Sequence, residues 1–268
     1  MYGNFILLVF GVYSILVVNG SKVDDFDVSR NRTGFIAKCK PYYARPKKYP
    51  VSKTGAWTYP VCDGQYNFDF YVALAFVDLM NGIYEKLRVE KGIKQLNVIE
   101  FGAGCGCYTQ FWRSYSHFNV MALEGNPRIN ELTQNSIWSM DLTKAPGASD
   151  ALLNWQLSEG IHVVICLEVM EHIPSKFQDM ALLNLIRRQP DYLFLSWSNH
   201  DDGGQGHVNV RNQEYVSKLM MSKYGYDYLT KATSEIRAAA STAWYFRDTF
   251  SAFHRGAQAG HLLKQLHG

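Results

Sequence analysis

Three alternate glycines, Gly102, Gly104 and Gly106, follow a short apolar run in the stretch NVIEFGAGCGCYTQFW, which covers residues 97–112. Glycine loses more backbone freedom on folding than any other residue, so three of them within five positions are unfavourable unless the turn needs bare main chain. A glycine turn between a buried strand and a helix lets a ligand approach the peptide backbone and lets the helix start close to the sheet. The stretch therefore predicts a strand, a ligand-binding turn and a helix.

The spacing of these glycines is G-x-G-x-G, and Cys107 follows the last one. The dinucleotide fingerprint is instead G-x-G-x-x-G, in which the last glycine allows close packing of the helix on the strand. The sequence therefore disfavours a nicotinamide dinucleotide as the ligand, although it does not exclude one.

Apolar, strand-like runs alternate with helical stretches along most of the chain. The runs VVICL and YLFLSW contain no alternating polar residues, as is typical of parallel strands covered on both faces. Strands are predicted at Val98–Phe101, Val120–Leu123, His162–Leu167 and Tyr192–Trp197, and helices near Tyr108–Tyr115, Pro127–Gln134, Ser175–Arg188 and Gln213–Lys223. An earlier helix is predicted from an Asn67 cap to about Val89. This alternation predicts a doubly wound α/β sheet, which binds ligands at the carboxyl ends of its strands.

Two acidic residues follow the glycine turn at or just beyond the ends of further strands. Glu124 lies 22 positions after Gly102, and Asp141 lies 17 positions after Glu124. A carboxylate at the end of the second strand can accept hydrogen bonds from both hydroxyls of a ribose, and one at the third can accept from an exocyclic adenine amine. Asp141 also suits the cap of a helix that starts at Leu142, so its role is open. The order of strand, turn and two acids favours an adenosyl ligand.

These motifs resemble those of a known family of enzymes. The segments VIEFGAGCG, ALEGNP, MDL and VVICLEVMEHIP are similar to successive motifs of the class I S-adenosylmethionine-dependent methyltransferases, over about Asn97 to Arg255. The last segment resembles the ubiquinone-biosynthesis-like, small-molecule branch. The resemblance implies a Rossmann-like, mostly parallel seven-stranded sheet with a reversed last strand and helices on both faces. It also implies transfer of a methyl group from S-adenosyl-L-methionine to O or N of a small-molecule acceptor.

The resemblance also implies a set of cofactor-binding residues. It places the ribose-binding acid at Glu124, the adenine-side acid at Asp141 and the acid of the first motif at Glu100. The full set is Glu100, Gly102, Ala103, Gly104, Gly106, Glu124, Gly125, Asn126, Asp141, Leu142 and Glu168.

A cluster of acids and histidines follows the fourth and fifth predicted strands, whose carboxyl ends lie side by side. In the favoured interpretation, Glu168 lies near the methionine moiety and His207 is the general base, because an imidazole titrates near neutral pH. His172 and Glu171 are further catalytic candidates. His200 lies in the same stretch as His207.

Two other interpretations of the cluster are open. Glu168, Glu171, His172 and His207 resemble the E-x-x-E-H motif and later histidine of the 3′-end small-RNA 2′-O-methyltransferases, in which a metal would lower the pKa of an acceptor hydroxyl. Alternatively, His172 caps a helix that starts near Pro174 and His207 fixes the glycine-rich loop. The residues after this motif lack the fuller pattern of the small-RNA 2′-O-methyltransferases, so no metal is expected. A cofactor-binding pseudo-enzyme without turnover is the alternative from a different class.

The N-terminal part of the chain predicts secretion. Residues 1–20 contain the apolar run Phe5–Val18, which is too short to span a bilayer and suits a cleaved signal peptide or, alternatively, a membrane anchor. Asn31 begins an N-glycosylation triplet, and Cys39 and Cys62 are placed to pair. Residues 21–66 form a Pro- and Tyr-rich extension, and residues 67–268 form the methyltransferase domain.

The overall charge gives little indication of a macromolecular partner. A formal net charge of +3 is too small to indicate nucleic acid, so the expected partner is a small-molecule methyl acceptor. No stable membrane span is expected, and the sequence leaves the oligomeric state open.

Overall fold

The computed structural model describes residues 51–57, 68–145, 160–199, 204–257 and 259, and these residues contain one seven-stranded sheet with helices on both faces. The strands are β1 (Leu96–Phe101), β2 (Phe118–Glu124), β3 (Trp138–Ser139), β4 (Val163–Cys166), β5 (Tyr192–Ser196), β6 (Tyr226–Tyr228) and β7 (Phe250–Arg255). The helices are α1 (Phe70–Lys91), α2 (Cys107–Trp112), α3 (Ile129–Leu132), α4 (Gln178–Ile186), α5 (Gln213–Tyr224), α6 (Thr230–Ala239) and α7 (Phe246–Thr249). Short 3₁₀ turns cover Met170–His172 and Ser175–Phe177.

The order of the strands across the sheet is β3-β2-β1-β4-β5-β7-β6. Neighbouring strands from β3 to β5 are parallel, whereas β7 runs antiparallel to both β5 and β6. This confirms the predicted Rossmann-like, doubly wound fold with a reversed last strand. The carboxyl ends of β1, β2 and β4 therefore lie side by side at one edge, where the sequence placed the ligand.

Both faces of the sheet are covered because successive strand residues point to opposite sides. Val98 of β1 and Phe194 of β5 pack into one core with α1, α2, α6 and α7. Ile99 of β1 and Leu195 of β5 pack into the other core with α4 and α5. The apolar, non-alternating runs of the sequence are thus central strands.

The start of α1 corrects one prediction. Asn67, the predicted cap, lies outside the described residues, and the helix begins at Phe70 with Asp69 as its N-cap. The buried carboxylate of Asp69 accepts hydrogen bonds from the backbone N–H groups of Tyr71 and Val72, and also from Ser241 and Ala243 in a distant loop. Asp69 therefore both caps the helix and joins it to the chain before α7.

Several predicted segments cannot be compared with the structure. Residues 1–20, most of the extension over 21–66 and the predicted Asn31 and Cys39–Cys62 features lie outside the described residues. Of the extension, residues 51–57 are described. Within the described part of the chain, no helix combines the length and the apolar character that crossing a membrane requires.

Candidate active site

The glycine turn after β1 has the left-handed backbone that its composition predicts. Gly102, Gly104 and Gly106 have φ angles of 73°, 54° and 79°, a region that side chains with a Cβ rarely adopt. The N–H groups of Gly102 and Ala103 both donate to the carbonyl oxygen of Leu123, at 2.8 and 3.0 Å. The turn is therefore tied directly to the end of β2.

The structure adds a second reason for two of these glycines. A Cβ atom on Gly102 would lie 2.1 Å from Cγ2 of Val169, and one on Gly106 would lie 2.8 Å from Cδ1 of Ile137. Both glycines thus make room for side chains of the protein itself, whereas the sequence suggested only the approach of a ligand and of the helix. Ala103 packs beneath the turn with Ile137.

Glu124 ends β2 with its carboxylate directed at the glycine turn. Its Oε2 accepts from the Gly104 N–H at 2.9 Å, and its Oε1 accepts from the Asn126 N–H at 3.2 Å. Burial raises the pKa of Glu124, and hydrogen bonds from the backbone N–H groups of Gly104, Asn126 and Gly125 oppose that rise. A carboxylate has about four lone-pair positions, so Glu124 retains acceptor capacity for a ligand.

Asn126 adds an unsatisfied donor beside Glu124. Its side-chain oxygen accepts from the Arg128 N–H at 2.9 Å, but its buried Nδ2 has no hydrogen-bond partner among the described residues. A buried donor of this kind is unfavourable unless a ligand or water accepts from it. The end of β2 thus offers both an acceptor and a donor to a polar ligand.

Glu100 is buried in β1 rather than exposed at the turn. Its carboxylate is hydrogen-bonded to the Thr109 hydroxyl, which joins β1 to α2. Burial raises its pKa to about 8, against the opposing effects of the Thr109 hydrogen bond and of Arg113. Glu100 therefore supports the turn from below.

Asp141 and Leu142 follow β3 in a turn. Oδ1 of Asp141 accepts from the Thr143 N–H at 3.0 Å, and its Oδ2 lies 3.3 Å from Nζ of Lys144. The sequence also allowed a helix that starts at Leu142. Residues 142–144 form a turn and a bend instead, so no helix begins there. Leu142 is buried in the core.

Glu168 follows β4 with a positive φ of 53°, unusual for a residue with a side chain. Its N–H donates to Oγ of Ser196 at 2.7 Å, and its Oε1 accepts from the Thr249 hydroxyl at 3.0 Å. Ser196 of β5 thus fixes the backbone of Glu168, and Thr249 of α7 fixes its carboxylate.

Glu171, His172 and His207 come together, as the sequence predicted from their positions after β4 and β5. One ligand atom from each lies within 4.8 Å of the others, and the Nε2 of His207 lies 3.9 Å from Oε1 of Glu171. The rings of His172 and His207 meet edge to face at 4.9 Å between centroids. Glu168, the fourth member of the predicted metal set, does not belong to this group, and His200 lies outside the described residues.

Backbone hydrogen bonds explain why the two loops meet. The carbonyl oxygen of Glu171 accepts from the N–H groups of Val208 and Asn209, at 2.8 and 3.0 Å. Nδ1 of His172 lies 3.2 Å from the Gly206 carbonyl oxygen, which can only accept, so Nδ1 is the protonated nitrogen. His172 thus holds the glycine-rich loop, a role that the sequence suggested for His207, and does not cap a helix near Pro174.

The charge state of this cluster follows from its burial. Burial and the neighbouring His207 lower the pKa of His172 to about 4, so its imidazole is neutral at pH 7 and Nε2 carries a lone pair. Burial and the neighbouring Glu168 raise the pKa of Glu171 well above its usual value. Neither carboxylate oxygen of Glu171 makes a hydrogen bond of good geometry among the described residues, although the Glu168 side chain and the Ser198 backbone lie close to it.

Two features of the site were missed by the sequence predictions. Residues 51–57 form a small hairpin that touches the loops around His172 and Gly125. Cys105 in the glycine turn is disulfide-bonded, whereas Cys107 and Cys166 form no disulfide. No signal in the sequence pattern indicated a disulfide at Cys105.

Comparisons with known proteins found only distant likenesses to solved structures. No protein-family model matches the chain, and no curated protein matches it. A solved structure of magnesium protoporphyrin IX methyltransferase from Synechocystis PCC 6803 with bound SAH is 12% identical, covering 69% of this chain and 86% of that one, with a TM-score of 0.42. The methyltransferase domain of a bacterial CtHen1 is 13% identical, covering 66% of this chain and 98% of that one, with a TM-score of 0.41. The plantazolicin methyltransferase BpumL is 8% identical over 71% and 87%, with a TM-score of 0.42.

The described residues have the fold of a class I methyltransferase. The strand order and the antiparallel β7, observed directly in the sheet, show the Rossmann-like architecture that the resemblance of the motifs implied. Identities of 8–13% concern the fold alone and leave the reaction and its acceptor to be argued from the site.

Glu100 gives the fold a testable dependence on pH. Its folded-state pKa of about 8 lies above the unfolded value of 4.5, so the folded protein holds the proton more tightly between these values. The free energy of unfolding therefore falls as the pH rises from 4.5 to 8, by up to ~1.4 kcal/mol per unit. Glu100→Gln cannot ionise, so we expect its chemical denaturation curves to lose the part of this decline that Glu100 contributes, whereas Glu124 and Glu171, whose pKa values are also raised, keep theirs.

The matched control is Glu90→Gln, because Glu90 is exposed at the end of α1. We expect the Glu90 variant to follow the wild-type protein across the whole pH range. A Glu100→Gln curve that runs parallel to the wild-type curve between pH 4.5 and 8 would contradict the assignment.

Proposed function

We propose that the chain is an S-adenosyl-L-methionine-dependent methyltransferase that acts at O or N of a small-molecule acceptor. The observation that carries this proposal is the Glu124 carboxylate, which lies at the end of β2 and against the glycine turn. The unsatisfied Nδ2 of Asn126 beside it is a second feature that suits a polar ligand. The donor and acceptor groups present therefore fit an adenosyl ligand.

Each strand end contributes a separate contact to the bound cofactor, which supplies a methyl group already activated on a sulfonium. Glu124 accepts from the ribose hydroxyls with the lone pairs that Gly104 and Asn126 leave available. Asp141 and Leu142 lie on the adenine side, and Glu168 lies near the methionine moiety. The chain mainly orients the acceptor, because an activated methyl group needs alignment more than a covalent nucleophile.

The acceptor proton is taken by His207 in this proposal. Its Nε2 lies 3.9 Å from the buried Oε1 of Glu171, a carboxyl group that would stabilise the imidazolium in its ionised form, against the burial that raises its pKa. His172 stays neutral because its pKa is near 4, and it positions the loop that carries His207. The acceptor would thus lose its proton to His207 as its O or N forms the bond to the methyl group, while the S–CH₃ bond breaks and its electron pair stays on the sulfur of S-adenosylhomocysteine.

Cofactor binding is the first test. We expect calorimetric titration with S-adenosylhomocysteine to show one binding site, and Glu124→Ala to weaken binding at least about tenfold, or ~1.4 kcal/mol. The loss follows from removing the acceptor for the ribose hydroxyls. Glu131→Ala is the control, because Glu131 is exposed in α3 nearby. The proposal would fail if the folded wild-type protein gave no heat of binding with S-adenosylhomocysteine. It would also fail if Glu124→Ala and Glu131→Ala bound S-adenosylhomocysteine with equal affinity.

A metal-assisted methyltransferase is the second candidate function. The grouping of Glu171, His172 and His207 favours it, because a carboxylate and two imidazoles within 4.8 Å are a ligand set that binds divalent transition metals. The His172 Nδ1–H bond to Gly206 leaves Nε2 as the ligand atom, an orientation typical of metal-bound histidines. In that case the same three residues would bind a cation that lowers the pKa of an acceptor hydroxyl.

Metal binding separates the two functions. If the cluster is a metal site, the metal-free protein should bind one Mn²⁺ ion per chain. The electron paramagnetic resonance signal of free Mn²⁺ should then disappear until one equivalent has been added. Glu171→Gln and His207→Ala should then each weaken Mn²⁺ binding at least about tenfold, whereas His254→Ala, on β7, should not. An unchanged free-ion signal with wild-type protein would leave His207 as the base.

We further propose that the protein belongs to the secretory pathway. The disulfide at Cys105 supports this, because structural disulfides persist mainly in oxidising compartments. The apolar run Phe5–Val18 and the Asn31 triplet agree with it.

The compartment is tested on protein expressed with its full N-terminus in eukaryotic cells. We expect the protein in the medium to begin at Ser21 and to yield a Cys105 disulfide peptide in non-reducing peptide mapping. Protein held in the membrane fraction with residues 1–20 attached would instead support the anchor. Intracellular, uncleaved protein with Cys105 as a thiol would contradict the proposal.

A further inference from the structure

Residues 51–57, named the strap here, form a small self-supporting hairpin. A single antiparallel bridge joins Val51 to Trp57. The Ser52 N–H donates to the Ala56 carbonyl at 2.8 Å, and the Ser52 hydroxyl oxygen accepts from the N–H groups of Thr54 and Ala56. The strap therefore has a defined shape of its own and packs as a unit.

The strap touches loops that follow three different strands. The Cβ of Ala56 would lie 3.0 Å from a Cβ on Gly125, directly after the Glu124 carboxylate at the end of β2. Gly55 lies against the His172 carbonyl in the loop after β4. Cγ2 of Val51 lies near Gly206, in the loop after β5.

These contacts place the strap across the crevice. The strand order puts β1 and its glycine turn between β2 and β4, so those two strands are separated by ~10 Å, or two strand spacings. Gly55 and Ala56 are neighbours in sequence, yet one touches the loop after β4 and the other touches the loop after β2. Since consecutive Cα atoms are only about 3.8 Å apart, the loops after β2 and β4 must converge on the strap, which lies beyond the carboxyl end of β1.

We propose that the strap is the outer wall of the cofactor crevice and that Gly55 and Trp57 are its positioning residues. The inference rests on the proposed function, because the wall closes over the place where Glu124 holds the ribose. The strap would slow release of the cofactor and hold His172, so residues 51–57 of the N-terminal extension are part of the site. The alternative role for the strap in the same position is that of a plug, which fills the crevice and opposes cofactor binding.

Gly55 is the residue that lets the strap approach. Its φ is 91°, and a Cβ there would lie 2.1 Å from the His172 carbonyl oxygen, which is backbone and cannot move aside easily. Trp57 supplies the lateral contact, since its ring meets the His172 ring edge to face at 5.4 Å. That imidazole in turn meets His207, so Trp57 positions the pair through His172.

The test compares the release of S-adenosylhomocysteine from variants of the full chain. Gly55→Ala forces the strap away from His172, and Trp57→Ala removes the ring contact. We expect each variant to accelerate release in stopped-flow displacement at least about tenfold and to weaken binding in calorimetry correspondingly. Trp57→Phe keeps an aromatic edge and should restore most of the wild-type rate.

Gly92→Ala is the matched control. Gly92 has a φ of 68° at the end of α1 and open space around its Cβ position, so the substitution carries the backbone strain without the contact. Its thermal midpoint should fall while its release rate stays within about twofold of wild type, which separates lost stability from lost closure.

Each result decides the inference. If both strap variants bind and release S-adenosylhomocysteine as the wild-type protein does, the inference is overturned. If both variants bind it more tightly, the strap is a plug. Absence of binding in the folded wild-type protein would instead remove the proposed function on which the wall depends. Faster release in Gly55→Ala and Trp57→Ala, with Gly92→Ala near wild type, would establish the wall.

Discussion

The contact between the Glu124 carboxylate and the Gly104 N–H is the interaction on which the candidate site depends. The main chain of the turn bends back to the end of β2, because two further N–H groups donate to the Leu123 carbonyl. That bend requires positive φ angles, and it brings Val169 and Ile137 against positions where a Cβ would not fit. The glycines therefore serve the geometry of the turn first, and the same geometry presents the carboxylate to a ligand.

A second constraint joins the catalytic candidates. The backbone of Glu171 anchors residues 208 and 209, and His172 anchors Gly206, so the loop after β5 is fixed to the loop after β4 by main-chain groups. Glu171 and His207 consequently face each other whether they act as a carboxylate and base or as metal ligands. The same backbone contacts serve both candidate functions. The functions differ only in whether a metal ion or the acceptor proton lies between Glu171 and His207.

The sequence predicted the parts of the fold that depend on local pattern. The runs around β1, β4 and β5, the glycine turn and the position of Glu124 follow from periodicity and spacing within short windows. The cap of α1 was assigned to Asn67 because sequence alone cannot weigh the distant Ser241 and Ala243 N–H groups that select Asp69. The contacts of the strap could not be predicted for the same reason, since its partners Gly125, His172 and Gly206 are far away along the chain.

The Cys105 disulfide and the strap bear on the same part of the molecule from different sides. Cys105 lies between Gly104 and Gly106, so a covalent bond there restrains the turn that donates to Glu124. The strap restrains the loops after β2, β4 and β5, which flank that turn in the sheet. A turn with three glycines would otherwise lose much conformational freedom on binding a ligand. Restraint from the bond and from the strap lowers that entropic cost before any ligand arrives, so the site is organised in advance for binding.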